Sequence, residues 1–508
     1  MIKRQGIKLL MCKYLCLVVL FFIFCQNGWT QERTARSPNV LFIFVDDLRP
    51  DLHCYGSNIF GDNKLIQSPN IDRLAAQSML FKHQYAVVPT CGASRAAILT
   101  GYLPRSRAAL SNEAGVTFIS DQPKSDDPRT FIANLKQNGY YTVGIGKISH
   151  YPDGYVYPYT SPKSNKLELP YSWDEMLFNA GKWKTAWNAF FGYADGSNRN
   201  DRHKQVKPYE HAEVGDTGYP DGLTANLAVK TMKRLAEKEQ PFFLAVGFFK
   251  PHLPFNAPKK YWDLYDESKI KITPSPNIPA HVNKASLHNS AEFVQYKEGA
   301  EKPSLEQPVS DAYARKLRHA YYAAVSYSDA QVGKVLDELN RSGLADNTIV
   351  ILWSDHGWHL GDDRVWGKHT LFEYATRSVL MIKTPDMKAG KVCDKVVSAL
   401  DIYPTLMDLC HVPMPHKTDG TSMVSLLKNP NSHQWKERAF SYYRQGISLR
   451  TKRYRLTRYF RKQQPTIELY DHKSDPYENI NIAATHPKVV KRLMNLWETG
   501  NTGLYNKK

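Results

Sequence analysis

Cysteine is scarce in this chain, with 7 in 508 residues. Cys12, Cys16 and Cys25 fall at the extreme N-terminus, leaving Cys54, Cys91, Cys393 and Cys410 for everything else. Four dispersed thiols do not indicate a disulfide framework. Internal repeats and low-complexity tracts are absent, which sets aside solenoid and fibrous architectures. Long apolar runs are missing too. LCLVVLFFIF is shorter than the roughly 20 apolar residues that a spanning helix needs. Preceded by Lys3, Arg4, Lys8 and Lys13 and followed by QNGWTQ, it reads as a secretory signal cleaved near residue 30, with no stable membrane anchor. The expected location is secreted or periplasmic. Acidic residues are outnumbered, 49 to 67, for a net charge of +18, and loss of the four basic residues of the signal leaves +14. In that compartment an acidic polysaccharide fits better than nucleic acid as partner, and a solvated basic face is the equal alternative.

A chain of this length exceeds the roughly 250–300 residues at which single cores stop growing, so two domains are expected. NVLFIFV (39–45), YYTVGIG (140–146), PFFLAVGFF (241–249) and TIVILWS (348–354) are continuous apolar runs, the pattern of strands buried on both faces. Helical patterns lie between them: SPNIDRLAAQSM, RTFIANLKQNG, LTANLAVKTMKRLAEK and a long stretch from Ala312 to Leu339. Alternation of this kind predicts an open α/β sheet. Residues 151–220, 275–310 and 415–437 lack periodicity and read as long loops. From about residue 438, RAFSYYR, GISLRT, YRLTRYF and TIELYD predict a small antiparallel sheet, followed by a terminal helix. The expected division is a signal over 1–30, a catalytic domain over 31–434 and a C-terminal subdomain over 435–508.

Chemistry-bearing residues gather where the strand-like runs end. Asp46 and Asp47 follow the first run, Lys147 and His150 the second, Lys250 and His252 the third, and Asp355 and His356 the fourth. Ligands of open α/β sheets bind beyond the carboxyl ends of the strands. Three carboxylates there would repel one another unless positive charge lay between them, and a hard divalent cation is the economical source. Alone, an Asp-Asp pair at a strand end is more often a cap or turn; the second acidic strand end tips the reading to metal.

Cys91 stands in PTCGASRAAILTG beside Thr90, Gly92 and Ser94, with Arg95 one helical turn on. A phosphatase loop would need an arginine six positions after the cysteine, where Ala97 stands, and nothing resembles a papain-like site. CGASR followed by AAILTG is similar to the signature of the formylglycine-dependent (type I) sulfatases. SPNVLFIFVDDLRPDLHCYG, SPNIDRLA, TVGIGKISH, PFFLAVGFFKPHLPF, SDHGWHLGD, WGKHTLFEYATR and DIYPTLMDL resemble blocks of the iduronate-2-sulfatase-like branch, in the same order. Ala93 departs from the commoner proline, and His356 from the asparagine of many members.

The resemblance implies an alkaline-phosphatase-like α/β fold with a large mixed sheet flanked by helices. It implies oxidation of Cys91 to formylglycine by a maturation enzyme, and Ca²⁺ held by Asp46, Asp47, Asp355, His356 and the modified Cys91. Arg95 and Lys147 would stabilise the aldehyde hydrate or its alkoxide, and His150 would position it and assist its collapse. His252 and Lys368 would face the ester, grip its sulfate and protonate the leaving oxygen. A helix beginning near Ser94 would add its positive end, in a site at a surface crevice. Lys250 reads as supporting. Trp358 and the aromatics between 151 and 195 divide evenly between packing and sugar stacking. The implied substrate is a sulfated oligo- or polysaccharide, either 2-O-sulfated uronate or an algal polymer such as ulvan. A phosphoester hydrolase of the same fold and a non-catalytic glycan-binding protein are the rivals.

Overall fold

In the first buried run, Asn39–Val45, alternate side chains serve two different cores. Leu41, Ile43 and Val45 enter one apolar cluster, and Val40, Phe42 and Phe44 enter the other. A strand has a side-chain period of two, so a run apolar at every position must be covered on both faces. The computed structural model describes residues 37–56, 65–119, 129–159 and 164–506, and the expected signal over 1–30 lies outside the described residues.

The central sheet is mixed and has nine strands. Its parallel heart is β1 (Asn39–Val45), β3 (Tyr141–Gly146), β4 (Glu175–Leu177), β5 (Phe242–Phe248) and β6 (Thr348–Ser354), in the order β6-β1-β5-β3-β4. Beyond β6 come β8 (Leu380–Lys383), antiparallel to it, then β2 (Met79–Tyr85), with β7 (Arg377–Ser378) and β9 (Lys391–Ser398) also paired to β2. The four strands read from the sequence are β1, β3, β5 and β6, four of the five at the heart. The strand Met79–Tyr85 takes over the last residue of the helical pattern SPNIDRLAAQSM, whose helix α1 (Pro69–Ala75) stops earlier.

Helices cover both faces. On the side of Leu41 and Ile43 lie α4 (Pro220–Ala236) and α5 (Asp311–Arg341), through Ala225, Met232, Leu317, Ala324 and Val332. On the other lie α2 (Cys91–Thr100), α3 (Phe131–Gln137) and α6 (Ile402–Cys410), through Ile98, Leu99, Phe131, Ile132, Leu406 and Met407. The 31 residues of α5 follow Ser310, whose hydroxyl accepts from the Tyr313 amide at 3.2 Å as an N-cap.

The expected C-terminal sheet has four antiparallel strands: β10 (Arg438–Tyr443), β11 (Gly446–Thr451), β12 (Tyr454–Tyr459) and β13 (Ile467–Asp471), with α7 (Pro487–Gly500) after them. Leu449, Leu456, Leu469 and Trp497 belong to the same apolar cluster as α2. Its edge docks on the segment leading to Cys91: the Tyr442 amide donates to Val87 O at 2.7 Å and the Ser441 hydroxyl to Ala86 O at 2.6 Å. Beneath it, buried Glu373 and Glu478 face Arg450 and Arg455, at 3.2 Å for Arg450–Glu373 and 2.5 Å for Arg455–Glu478. Positive charge from the protein itself therefore answers that acidic pair. Residues Pro38–Lys508 form one compact unit. Among the described residues no helix is long and apolar enough to cross a membrane.

Candidate active site

Register decides where the site lies. Val45 pairs with Ser354 on one side and with Phe248 on the other, while Gly146 pairs with Gly247. The residues that follow, Asp46, Asp355 and Phe249, are therefore level at one edge of the sheet, with Lys147 one residue from that level. This is the carboxyl edge, and Lys250 and His252 leave it on the same connection. Asp47 is held at φ 59°, a conformation that non-glycine residues seldom adopt, and its amide donates to Asp355 Oδ1 at 3.2 Å. The strained dipeptide turns its two carboxylates in different directions.

Asp46 meets cations on both oxygens: Arg95 Nη2 at 2.9 Å and Lys147 Nζ at 2.5 Å. Burial works to raise its carboxyl, but Lys147 and Arg95 prevail and hold it well below the usual carboxylate range. Asp47 Oδ1 receives Lys368 Nζ at 3.0 Å and has His356 Nδ1 at 3.5 Å. Arg95 Nε reaches Asp355 Oδ2 at 3.0 Å, and its Nη1 donates to Lys147 O at 2.6 Å. Its remaining terminal nitrogen is the one on Asp46, so every guanidinium nitrogen is spoken for. Arg95 thus acts as a strut between two aspartates.

Cys91 is the first residue of α2, with Thr90 as N-cap, three residues earlier than the start expected near Ser94. Ser94 Oγ donates to Asp355 O at 2.6 Å, tying the helix's first turn to β6. Gly92 has a steric reason: a Cβ there would sit 2.1 Å from Asn112 O, and its amide donates to Asn112 Oδ1 at 3.0 Å. The Cys91 Sγ lies 3.2 Å from Lys368 Nζ. At 4 % exposure the residue is buried. Burial first, and the Asp46 carboxylate second, push its thiol up to about 12, so a neutral thiol stands there at pH 7. That state is a poor nucleophile.

Three carboxylates and two histidines surround the sulfur. Ligand atoms of Asp46, Asp47, Cys91 and His252 lie within 4.8 Å of one another, as do those of Cys91, Asp355 and His356. Asp46, Asp47 and Asp355 already have Arg95, Lys147 and Lys368 as counter-charges, so repulsion alone does not call for an ion. The donor chemistry does: His356 Nδ1 lies 3.0 Å from Gly357 O, which places its proton there and leaves Nε2 a lone pair. That buried Nε2 has no hydrogen-bond partner. Carboxylate oxygens beside one orphaned imidazole nitrogen fit a divalent cation.

The opposite wall carries His252 and Lys368, and between them a residue the sequence did not reveal. Glu292 Oε1 is 2.9 Å from His252 Nε2, and its Oε2 is 3.4 Å from Lys368 Nζ. Glu292 lies in the aperiodic 275–310 stretch, with no motif to mark it. Burial and Lys368 bring His252 down to about 4, against the pull of Glu292. Its Nδ1, however, is 2.6 Å from Leu253 O, so a neutral ring would aim a bare Nε2 at the ionised Glu292. We place one shared proton on the Nε2–Oε1 axis for that reason.

Other expectations sort by contact. His150 is buried, its Nδ1 lacks a partner, and burial with Lys147 holds its pKa well below the ordinary value. Lys250 Nζ donates to His252 O at 2.9 Å and Pro254 O at 2.6 Å, shaping the loop that carries His252. Trp183, Trp187, Phe190 and Phe191 close on each other in a buried cluster, and Trp358 is fully buried. These rings pack and do not form an exposed stacking face. Trp187 and Phe190 brace His150 and His252 at ring separations of 5.4 and 4.5 Å.

The sulfatase family model matches residues 38–412, and that of the C-terminal part of N-sulphoglucosamine sulphohydrolase matches 361–499. Iduronate 2-sulfatase of Mus musculus is 32 % identical over 424 residues, covering 78 % of this chain and 72 % of the relative. A sulfatase of Formosa agariphila is 29 % identical over 93 % of this chain and 88 % of its own. Among solved structures, a protein in complex with its substrate D-glucosamine-2-N,6-O-disulfate superposes with a TM-score of 0.68 at 22 % identity, covering 93 % of this chain and 99 % of that one. The fold is the alkaline-phosphatase-like α/β fold of these enzymes, and the activity is hydrolysis of sulfuric esters. With the family match spanning most of its length, the chain belongs to the sulfatases.

Proposed function

We propose that the chain is an exported sulfatase acting on a sulfated carbohydrate, with residue 91 converted from cysteine to formylglycine by a maturation enzyme and with Ca²⁺ as the resident ion. The observation that carries this reading is the place of Cys91. It opens α2 between a carboxylate wall (Asp46, Asp47, Asp355) and a cationic one (Lys368, with His252), and its thiol is held neutral. A hydrated aldehyde offers two hydroxyls on one carbon where the thiol offers one poor nucleophile. One hydroxyl oxygen attacks sulfur and the ester oxygen leaves as the alcohol. The second hydroxyl then loses its proton, the aldehyde C=O reforms, and sulfate departs with the first oxygen. Water restores the hydrate.

Asp46, Asp47, Asp355 and His356 would hold the ion together with residue 91. When bound, it supplies Lewis-acid polarisation of the sulfate oxygens. His150, kept neutral, accepts the proton of the second hydroxyl. Lys147 stands on Asp46, at 2.5 Å, and adds positive charge where the alkoxide forms. Lys368 grips the sulfate, and the shared proton of His252 and Glu292 goes to the leaving oxygen. The sugar reading draws on the basic charge of the chain and on the names of its relatives, which act on iduronate sulfate and on a disulfated glucosamine.

Mass spectrometry of the peptide containing residue 91, from the native host, tests the modification: the thiol should be replaced by an aldehyde or its hydrate, and a persistent thiol would refute the reading. Comparing nitrophenyl sulfate with nitrophenyl phosphate tests the ester class, and a clear phosphate preference would count against it. Chelation is expected to abolish turnover and lower the melting temperature. Adding Ca²⁺ at about 100 times its Kd should restore both, the stability gain being about 2.7 kcal/mol. An unchanged melting temperature would argue against an ion in the carboxylate cluster. Glu292→Gln is expected to lower kcat/KM about 10- to 100-fold through loss of the shared proton. Steady-state kinetics alongside a melt would show this, and wild-type kinetics would remove Glu292 from the reaction.

A further inference from the structure

Beyond Lys368 the chain turns sharply, and its next residue opens onto a second cavity. His369 adopts φ 55°, in the left-handed region, and its amide donates to Pro89 O at 3.3 Å, two residues before Cys91. The His369 ring stacks on Tyr443 at 5.5 Å with an interplanar angle of 14°. Together they wall a cavity of about 420 Å³ that Arg444, Tyr459 and Arg461 complete. Four of those residues come from the strands and turns of the C-terminal sheet and the fifth adjoins the ester-gripping lysine, so the cavity begins where the sulfate site ends.

Its charge is one-sided. Arg461 is fixed, with Nη1 donating to Ser286 Oγ at 2.9 Å and Nη2 to Pro465 O at 2.8 Å, and its Glu468 contact at 3.2 Å. Its Nε is buried without a hydrogen-bond partner. Arg444 is exposed, has its guanidinium 5.4 Å from the Tyr443 ring, and sits on a turn residue at φ 46°. No ion pair joins it to a carboxylate among the described residues. An exposed arginine that no carboxylate engages among the described residues leaves its charge available to an anionic ligand. The cavity's arginines suit a planar or tetrahedral anion.

We infer that this cavity is a subsite for a second anionic group, a carboxylate or another sulfate, carried by the sugar adjoining the scissile ester, with Arg444 as its principal contact. The inference rests on the proposed sulfatase reading on carbohydrate and names a feature of the substrate. It makes the protein selective for doubly charged sugars over singly sulfated ones. Arg444 determines specificity and takes no part in the bond-breaking steps.

The test compares wild type with Arg444→Ala and Arg444→Glu on four substrates: nitrophenyl sulfate, a 2-O-sulfated uronate disaccharide, its carboxyl-reduced form, and a disulfated disaccharide without a uronate. Arg444→Ala should lower kcat/KM about 10- to 100-fold on substrates bearing the second anion, the loss of one charge-assisted contact. Charge reversal should lower it further, with nitrophenyl sulfate turned over at the wild-type rate by both variants. Retained activity on the reduced disaccharide's partner series then tells the sources apart: loss confined to the uronate identifies a carboxylate, and loss confined to the disulfated sugar identifies a sulfate. Equal losses on all four substrates, or none on any, would overturn the subsite. Wild type that cleaves nitrophenyl sulfate and neither anionic disaccharide overturns the subsite and leaves the sulfatase reading standing. Wild type inactive on every sulfate ester defeats that reading instead. The subsite is then decided by calorimetric binding of the uronate disaccharide, which Arg444→Ala should weaken by the same factor.

Discussion

Cys91→Ala is expected to reduce turnover by about 10⁴-fold or more, the scale on which removal of a covalent nucleophile acts. The fold should survive. The substitution keeps the Cβ at the first position of α2 and deletes one atom whose recorded polar contact is Lys368 Nζ at 3.2 Å. A buried deletion of that size costs about 1 kcal/mol, so melting curves should nearly overlay. Cys91→Ser gives the sharper result. A serine hydroxyl can attack sulfur, but its carbon bears no second oxygen to expel the sulfate, and the product should stop near one equivalent per enzyme molecule. A stopped-flow burst followed by no steady phase is the expected trace. Sustained turnover by the serine variant would rule out the hydrate, and activity in the alanine variant would rule out residue 91 altogether.

How far the site could be read from sequence follows from the geometry of the sheet. A strand buried on both faces prints a continuous apolar run, and its carboxyl end is the first residue after the run. Asp46, Lys147 and Asp355 were legible because β1, β3 and β6 are such strands and are in register. Strands away from the heart print weaker signals. Met79–Tyr85 includes half-exposed Lys82 and His83, and Lys391–Ser398 begins with two exposed residues, so neither shows a clean run. Glu292 was illegible for a different reason. It is placed by tertiary contact alone: the next residue, Phe293, is buried against Trp366 at 5.9 Å between ring centres, in a segment with no period. Arg95 shows a third limit. Its proximity to Cys91 was plain from the spacing, but the direction of its guanidinium, toward Asp46 and Asp355, depends on three strands meeting.

Arg95→Ala is expected to be the most destabilising single change in the site, by about 3–5 kcal/mol, the cost of leaving a buried charge without its partner. Two contacts at once make the case: Asp46 Oδ1 at 2.9 Å and Asp355 Oδ2 at 3.0 Å, all with no exposed side-chain surface. Lys147 still answers Asp46 in the variant, but among the described residues no other ion pair from lysine or arginine reaches Asp355. Arg95→Lys should recover only part of the loss, because one ammonium cannot span two carboxylates as a guanidinium fork does. Thermal or urea melts in chelator and in excess Ca²⁺ distinguish the strut from a catalytic group. The carboxylates left bare by Arg95→Ala are expected to draw more stability from the cation than wild type draws, narrowing the gap between the two proteins as Ca²⁺ rises. A variant that melts with wild type in chelator, and has lost only rate, would return Arg95 to the reacting atoms.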